Sequence, residues 1–274
     1  MATLRSPHTQ STWSWALWGS VLGALLALLV HLPAQLLAHT LSKATQGQVQ
    51  LQEAQGSIWQ GSGKLVLTGG HGSRDALALP GRLHWQNEIS FDGIQPPQLD
   101  VTLKAACCMT ADLIVSIQAR ERFSAWQMQL NDHRSQWPAH LLSGLGAPWN
   151  TLQPEGTLIL QTKQLQVQFQ SAQTWLQGGL TLTAENMSSK LSTLQPMGTY
   201  QIQLGGSATP NVMPTLTLST QSGSLLLSGQ GQWQGSRLQF RGEASAVPEH
   251  AAALSNLLNI IGRRQGARSL LSLG

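Results

Sequence analysis

Charge is what this sequence has least of: Asp, Glu, Lys and Arg make up 10% of its 274 residues, against about 25% in an ordinary soluble domain. Glutamine, present 32 times, and threonine take over the solvated role. That substitution suits strand faces, where neutral side chains sit side by side without repulsion across the ladder. Four of the 16 basic residues, Arg5, Arg263, Arg264 and Arg268, lie at the chain ends, and the rest balance the 12 acidic ones. The pI near 9.5 therefore belongs to the ends. A neutral body without Arg–aromatic alternation excludes a nucleic-acid partner.

Chemistry-bearing patterns are missing too. The eight histidines form no i, i+4 pair and have no local cysteine partner, so no zinc spacing exists. There is no Gly-x-Ser-x-Gly elbow. Asp132-His133 is a turn-like pair, and Gly69-Gly70-His71-Gly72-Ser73 lacks the Lys-Ser/Thr ending of a phosphate loop, which leaves a hairpin turn. The expectation is a protein that is not an enzyme, with no cofactor, no metal and no small-molecule substrate. The only cysteines, Cys107 and Cys108, are adjacent. Strand geometry would point them to opposite faces, so a mutual disulfide is not expected. Two small buried hydrophobes, or an intermolecular disulfide in an oxidising compartment, are the open readings.

Ser6 to Ser42 holds no charged residue, and Trp13 to Leu32 is rich in Leu, Ala, Val and Trp. About 20 apolar residues span a bilayer core. Trp13, Trp15 and Trp18 gather at one end, as interfacial indoles do. The expected order is a cytoplasmic stub over 1–12, a transmembrane anchor over 13–37, a stalk over 38–48 and a β-rich domain over 49–274 across the membrane. A cleaved signal peptide ending near Leu36-Leu37-Ala38 is the rival reading.

From Val49 onward, aliphatic residues alternate with Gln, Thr and Ser: Leu99 to Lys104, Leu165 to Gln170, Leu180 to Thr183, Tyr200 to Leu204 and Leu216 to Ser219. Period-2 alternation reads as antiparallel strands with one wet face. Gly69-Gly70, Pro80-Gly81, Asp92-Gly93, Gly178-Gly179, Gly205-Gly206 and Gly229 with Gly231 supply turns. About a dozen strands exceed a flat open sheet. The expected fold is mainly β, a strongly curved antiparallel half-barrel with one continuous apolar face, a sandwich being second. Trp59-Gln60-Gly61-Ser62 echoes Trp233-Gln234-Gly235-Ser236, and two similar halves, 49–135 and 157–247, would be joined by a Pro/Gly-rich connector over 136–156. After Pro248, the spacing of Leu254, Leu257, Leu258 and Ile261 predicts an amphipathic helix stopped by Gly262. It would lid the apolar face, or dock to a partner helix or a membrane surface.

Three stretches carry a family resemblance: Gly56-Ser57-Ile58-Trp59-Gln60-Gly61, the connector from Leu145 to Gly156, and the tail from Asn259 to Ser269. With the apolar segment upstream, the chain resembles protein N of the bacterial type II secretion system, the GspN family. It is also similar in architecture to AsmA-like envelope proteins. The resemblance implies an accessory in the bacterial inner membrane, single-pass with its bulk in the periplasm, that helps folded periplasmic proteins cross the outer membrane. Implied partners are the inner-membrane platform or the secretin, with membrane lipid alongside. Trp59, Pro148, Trp149, Asn150, Pro154, Arg263, Arg264 and Arg268 are the candidate contact residues. The alternative is a lipid-binding or lipid-transfer module using an apolar groove.

Overall fold

The computed structural model describes residues 13–91, 93, 96–120, 124–170, 173–206, 213–234 and 237–274. The expected stub over 1–12, Asp92 of one turn, and Gly235-Ser236 of the internal echo lie outside them. The described strands form one curved antiparallel sheet that does not close. Its first half runs β1 (Val49–Gly56), β2 (Gln60–Thr68), β4 (Leu83–Ser90), β5 (Gln98–Ala105), β6 (Leu113–Arg120) and β7 (Ala125–Leu130), with β3 (Ala76–Ala78) also on β2. Next come β9 (Pro154–Gln170), β10 (Gln173–Ser189), β11 (Gly198–Gly206), β12 (Thr215–Gly223), β13 (Leu225–Gln234) and β14 (Arg237–Ala246). The far end is β16 (Arg268–Leu273) and then β15 (Arg263–Gln265), while β8 (His133–Pro138) pairs with β9.

The alternation in the sequence becomes rows across this sheet. Glu88, Asp100, Ser116, Gln129, Gln166 and Gln177 stand in one cross-strand row. The adjacent row is Ile89, Leu99, Ile117, Met128, Val167 and Leu176. One face is thus amide and hydroxyl, the other aliphatic. Register shifts at Gln52/Gln55, Gln177/Gly179, Glu185/Ser188 and Thr199/Tyr200 mark bulges, and bulges add the bend and twist a long sheet needs to curve. At the β1 bulge Glu53 accepts from Lys64 Nζ at 2.7 Å. That hydrogen bond holds its carboxyl below the usual carboxylate range.

Helices close the apolar face. Helix α4 (Ala251–Ile261) buries Leu254, Leu257 and Leu258 against Met197, Tyr200, Leu225 and Ala244, so the lid reading holds. Its C-terminal neighbour Gly262 is extended. Beyond it the tail does not stay loose but forms the β15–β16 hairpin. Tyr200 is the polar exception in this core: it is 7% exposed and its hydroxyl has no hydrogen-bond partner among the described residues. Burial pushes its phenol upward. Tyr200→Phe is therefore expected to raise stability by about 1 kcal/mol, since an unsatisfied buried hydroxyl costs that much or more. Urea midpoints would check it, and a midpoint that falls would mean the hydroxyl has a partner.

The N-terminal segment departs from expectation. Among the described residues no helix is long and apolar enough to cross a membrane, which overturns the single-pass inner-membrane placement with its periplasmic bulk. The break is local. Helix α1 (Trp13–Val30) has 18 residues and reaches about 27 Å at 1.5 Å per residue. The chain then leaves the helix, because proline cannot continue one, and Pro33 bridges to Ser57. A second helix, α2 (Ala34–Ala44), lies on the sheet, with Ala34 fully buried beside Leu51 and Trp85. Ala34 and Leu37, read from sequence as the end of a span, pack into the domain core, and amphipathic helix replaces most of the expected stalk.

A second correction concerns the cysteines. Cys107 and Cys108 are joined to each other. The strand argument against this fails because β5 ends at Ala105 and both residues occupy a turn. The Gly69–Ser73 segment is, as expected, the turn of a hairpin between β2 and β3.

Candidate partner-contact surface

No group of three or more His, Cys, Asp or Glu able to hold a metal occurs among the described residues. Asp132 accepts the backbone N–H of Gln164 at 2.6 Å, which caps the bulge where β7 gives way to β8 opposite β9. The neighbouring His133 is 6% exposed and neither ring nitrogen has a partner among the described residues. The two residues are uncoupled.

Both sheet faces offer concavities, of different kinds. On the polar face, troughs of about 420, 890 and 970 Å³ carry Gln, Ser and Thr in their lining. On the apolar face a trough of about 520 Å³ is bordered by Leu36, Ile58, Trp59, Ile89, Ile117 and Trp126. The continuous groove expected there is otherwise occupied by the protein's own side chains: Leu37 and Leu41 of α2, Leu141 of the connector, and Leu254, Leu257 and Leu258 of α4. The geometry does not support a lipid-transfer module.

The connector is built as a fixed display. After Pro138 a 3-10 turn over Ala139–Leu145 packs Leu141 into a cluster with Leu79, Ala105 and Cys108. Gly144 is buried against the backbone of β2 and β3, where an added Cβ would collide with Leu67 O and Leu77 N. Gly146 sits at φ 77°, a conformation favoured by glycine, and a Cβ there would meet Gly69 Cα at 3.2 Å. Asn150 Nδ2 then donates to Asp75 Oδ2 at 2.9 Å, and Leu152 packs beside the α4 core. Between these pins stand exposed Pro148 and Trp149, the latter 37% exposed on the short helix α3 (Trp149–Leu152).

The eight candidate residues therefore separate by geometry. Pro148, Trp149, Arg263, Arg264 and Arg268 face solvent, with Arg268 paired to Glu243 at 3.2 Å. Asn150 is spent on Asp75. Pro154 is buried at the start of β9, opposite Ser189. Trp59 donates its indole N–H to Leu29 O at 2.9 Å, tying the end of α1 to the β1–β2 turn. The structure does not gather these positions into one patch: the connector lies on the apolar face and the three arginines on the terminal hairpin. Asp75 was not singled out in the sequence, and Gly69 was read only as part of a turn. Asp75 meets Asn150 across 75 positions, and no local pattern announces such a pairing.

Comparison with known proteins adds one finding. Residues 47–270 match the family described as type II secretion system (T2SS), protein N. No curated protein and no solved structure matches. The match runs from just before β1 into β16, so it takes in nearly all of the sheet, the connector and α4. On that span, well over half of its length, the chain belongs to the type II secretion system protein N family.

Proposed function

We propose that this protein is an accessory of type II secretion that works by protein–protein contact, offering its connector to other components of the machine. The observation that carries this is the pinned connector. Pro148 and Trp149 are exposed while Leu141, Gly144 and Asn150 on either side are locked into the domain. A large aromatic held rigid at a surface loses little entropy when it is buried by a partner, which is the usual character of an interface hot spot. The open end of the sheet at β1 is a further contact site, since an unpaired edge takes a partner strand.

The test has two arms. Deleting the gene is expected to leave exoproteins unreleased. A photo-crosslinking residue at position 149 is expected to capture another secretion component, whereas one at Gln230 on the polar face captures far less. Normal release together with no capture from position 149 would remove the reading.

A further inference from the structure

The turn after β5 does more than reverse the chain. Among the described residues β6 pairs with β7 only as far as Leu130, so the edge of β8 remote from β9 needs other cover. The cysteine turn supplies it. Cys108 O accepts the backbone N–H of Gln136 at 2.7 Å, and Met109 bridges to Ser135. Gln136 and Ser135 both belong to β8, which feeds directly into the connector. The two sulfurs of the Cys107–Cys108 disulfide differ in surroundings: Cys107 is exposed, whereas Cys108 is 6% exposed and packed with Leu79, Ala105 and Leu141.

We propose that this adjacent disulfide is a thiol–disulfide exchange site, entered at Cys107, that sets how firmly the turn clasps β8. Exchange requires a thiolate to reach a sulfur in line with the S–S bond, and exposure makes Cys107 the sulfur that is reached. The reagent is a dithiol. One of its thiolates attacks Cys107 Sγ and the S–S bond breaks. Cys108 Sγ leaves as a thiolate and takes a proton. The second thiolate of the reagent then attacks its own sulfur in the mixed disulfide, Cys107 departs and is protonated, and the reagent leaves as a cyclic disulfide. Two electrons pass from reagent to protein, and the two thiol protons lost by the reagent are balanced by the two gained by the protein.

The consequence is mechanical. While the bridge is closed, a small ring through one peptide bond restricts the backbone that presents Cys108 O to Gln136. Once it opens, the turn regains conformational freedom and its ordering becomes costlier. The buried Cys108 thiol keeps its place as a small hydrophobe, so the clasp loosens while the core stays filled.

Full-length protein prepared under oxidising conditions would be denatured with iodoacetamide and weighed. No adduct on a monomer is expected. Native protein treated with dithiothreitol is expected to take one adduct, at Cys107, and a second only on denaturation. Hydrogen exchange at the Gln136 amide is expected to rise about tenfold on reduction, as a locally opened bond does, and to the same level in unreduced Cys107→Ser. The amide of Gly231, in β13, should not change. Adducts on both cysteines without reductant, a disulfide-linked dimer, or equal Gln136 exchange in the two redox states would overturn the proposal.

Discussion

Leu254→Ala is expected to lower the unfolding free energy by about 2–5 kcal/mol, the range for removing a fully buried leucine when its surroundings collapse only in part. Leu254 has no exposed surface and sits among Met197, Tyr200, Leu225, Ala244 and its own neighbours Leu257 and Leu258. The effect should spread along the chain. An isolated helix of 11 residues is too short to persist on propensity alone, so α4 exists because its leucines are buried. The terminal hairpin leans on it in turn: buried Ser269 donates its hydroxyl to Leu258 O at 2.5 Å. Urea denaturation followed by circular dichroism would measure the loss. A fall smaller than about 1 kcal/mol would mean that α4 is an ornament on a sheet already stable without it.

The second large effect is expected at Gly144. A valine there drives its side chain into the backbone of β2 and β3, at Leu67 O and Leu77 N. Neither atom belongs to a flexible side chain that could swing away. Overpacking of this kind costs about 1–3 kcal/mol, and here the cheapest relief is to lift the connector off the hairpin. Gly144→Val should therefore expose the Ala147–Trp149 segment to protease and abolish capture from position 149 while the sheet survives. Gly205→Ala, whose Cβ would lie 4.0 Å from Thr215 Oγ1, is the control and leaves both unchanged. A resistant connector in the Gly144→Val protein would show that the close approach is not what seats it.

The strands were readable in the sequence because their cause is local. Alternation at Leu99 to Lys104, Leu165 to Gln170 and Tyr200 to Leu204 falls inside β5, β9 and β11, and the apolar members share one face. Helix α4 was readable for the same reason: Leu254, Leu257 and Leu258 at helical spacing are its buried residues. What stayed hidden depends on partners far away in the chain. Ala34 and Leu37 resemble the end of an apolar span until they are seen to pack with Leu51 and Trp85. The adjacent cysteines follow strand logic until β5 is found to stop at Ala105. Pro148 and Trp149 could be chosen from sequence as contact residues, but their rigidity could not, because it comes from Asp75 and from glycines whose role is to have no side chain.

The strand order has a consequence for how the protein is made. From β4 to β7 and again from β9 to β14, each strand pairs with the one synthesised just before it. A sheet ordered this way can lengthen at its growing end while the chain is still being delivered, every new strand finding its template already in place. Growth from one end leaves an unpaired edge at each stage, and only the last residues stop it. The tail turns back at Gly266, β16 settles on β14, and a three-residue β15 blunted by Arg263 and Arg264 becomes the terminus of the sheet. A short, cationic last strand is a poor template for further addition, so the arginines that give the sequence its basic end also serve as the stop signal of the sheet.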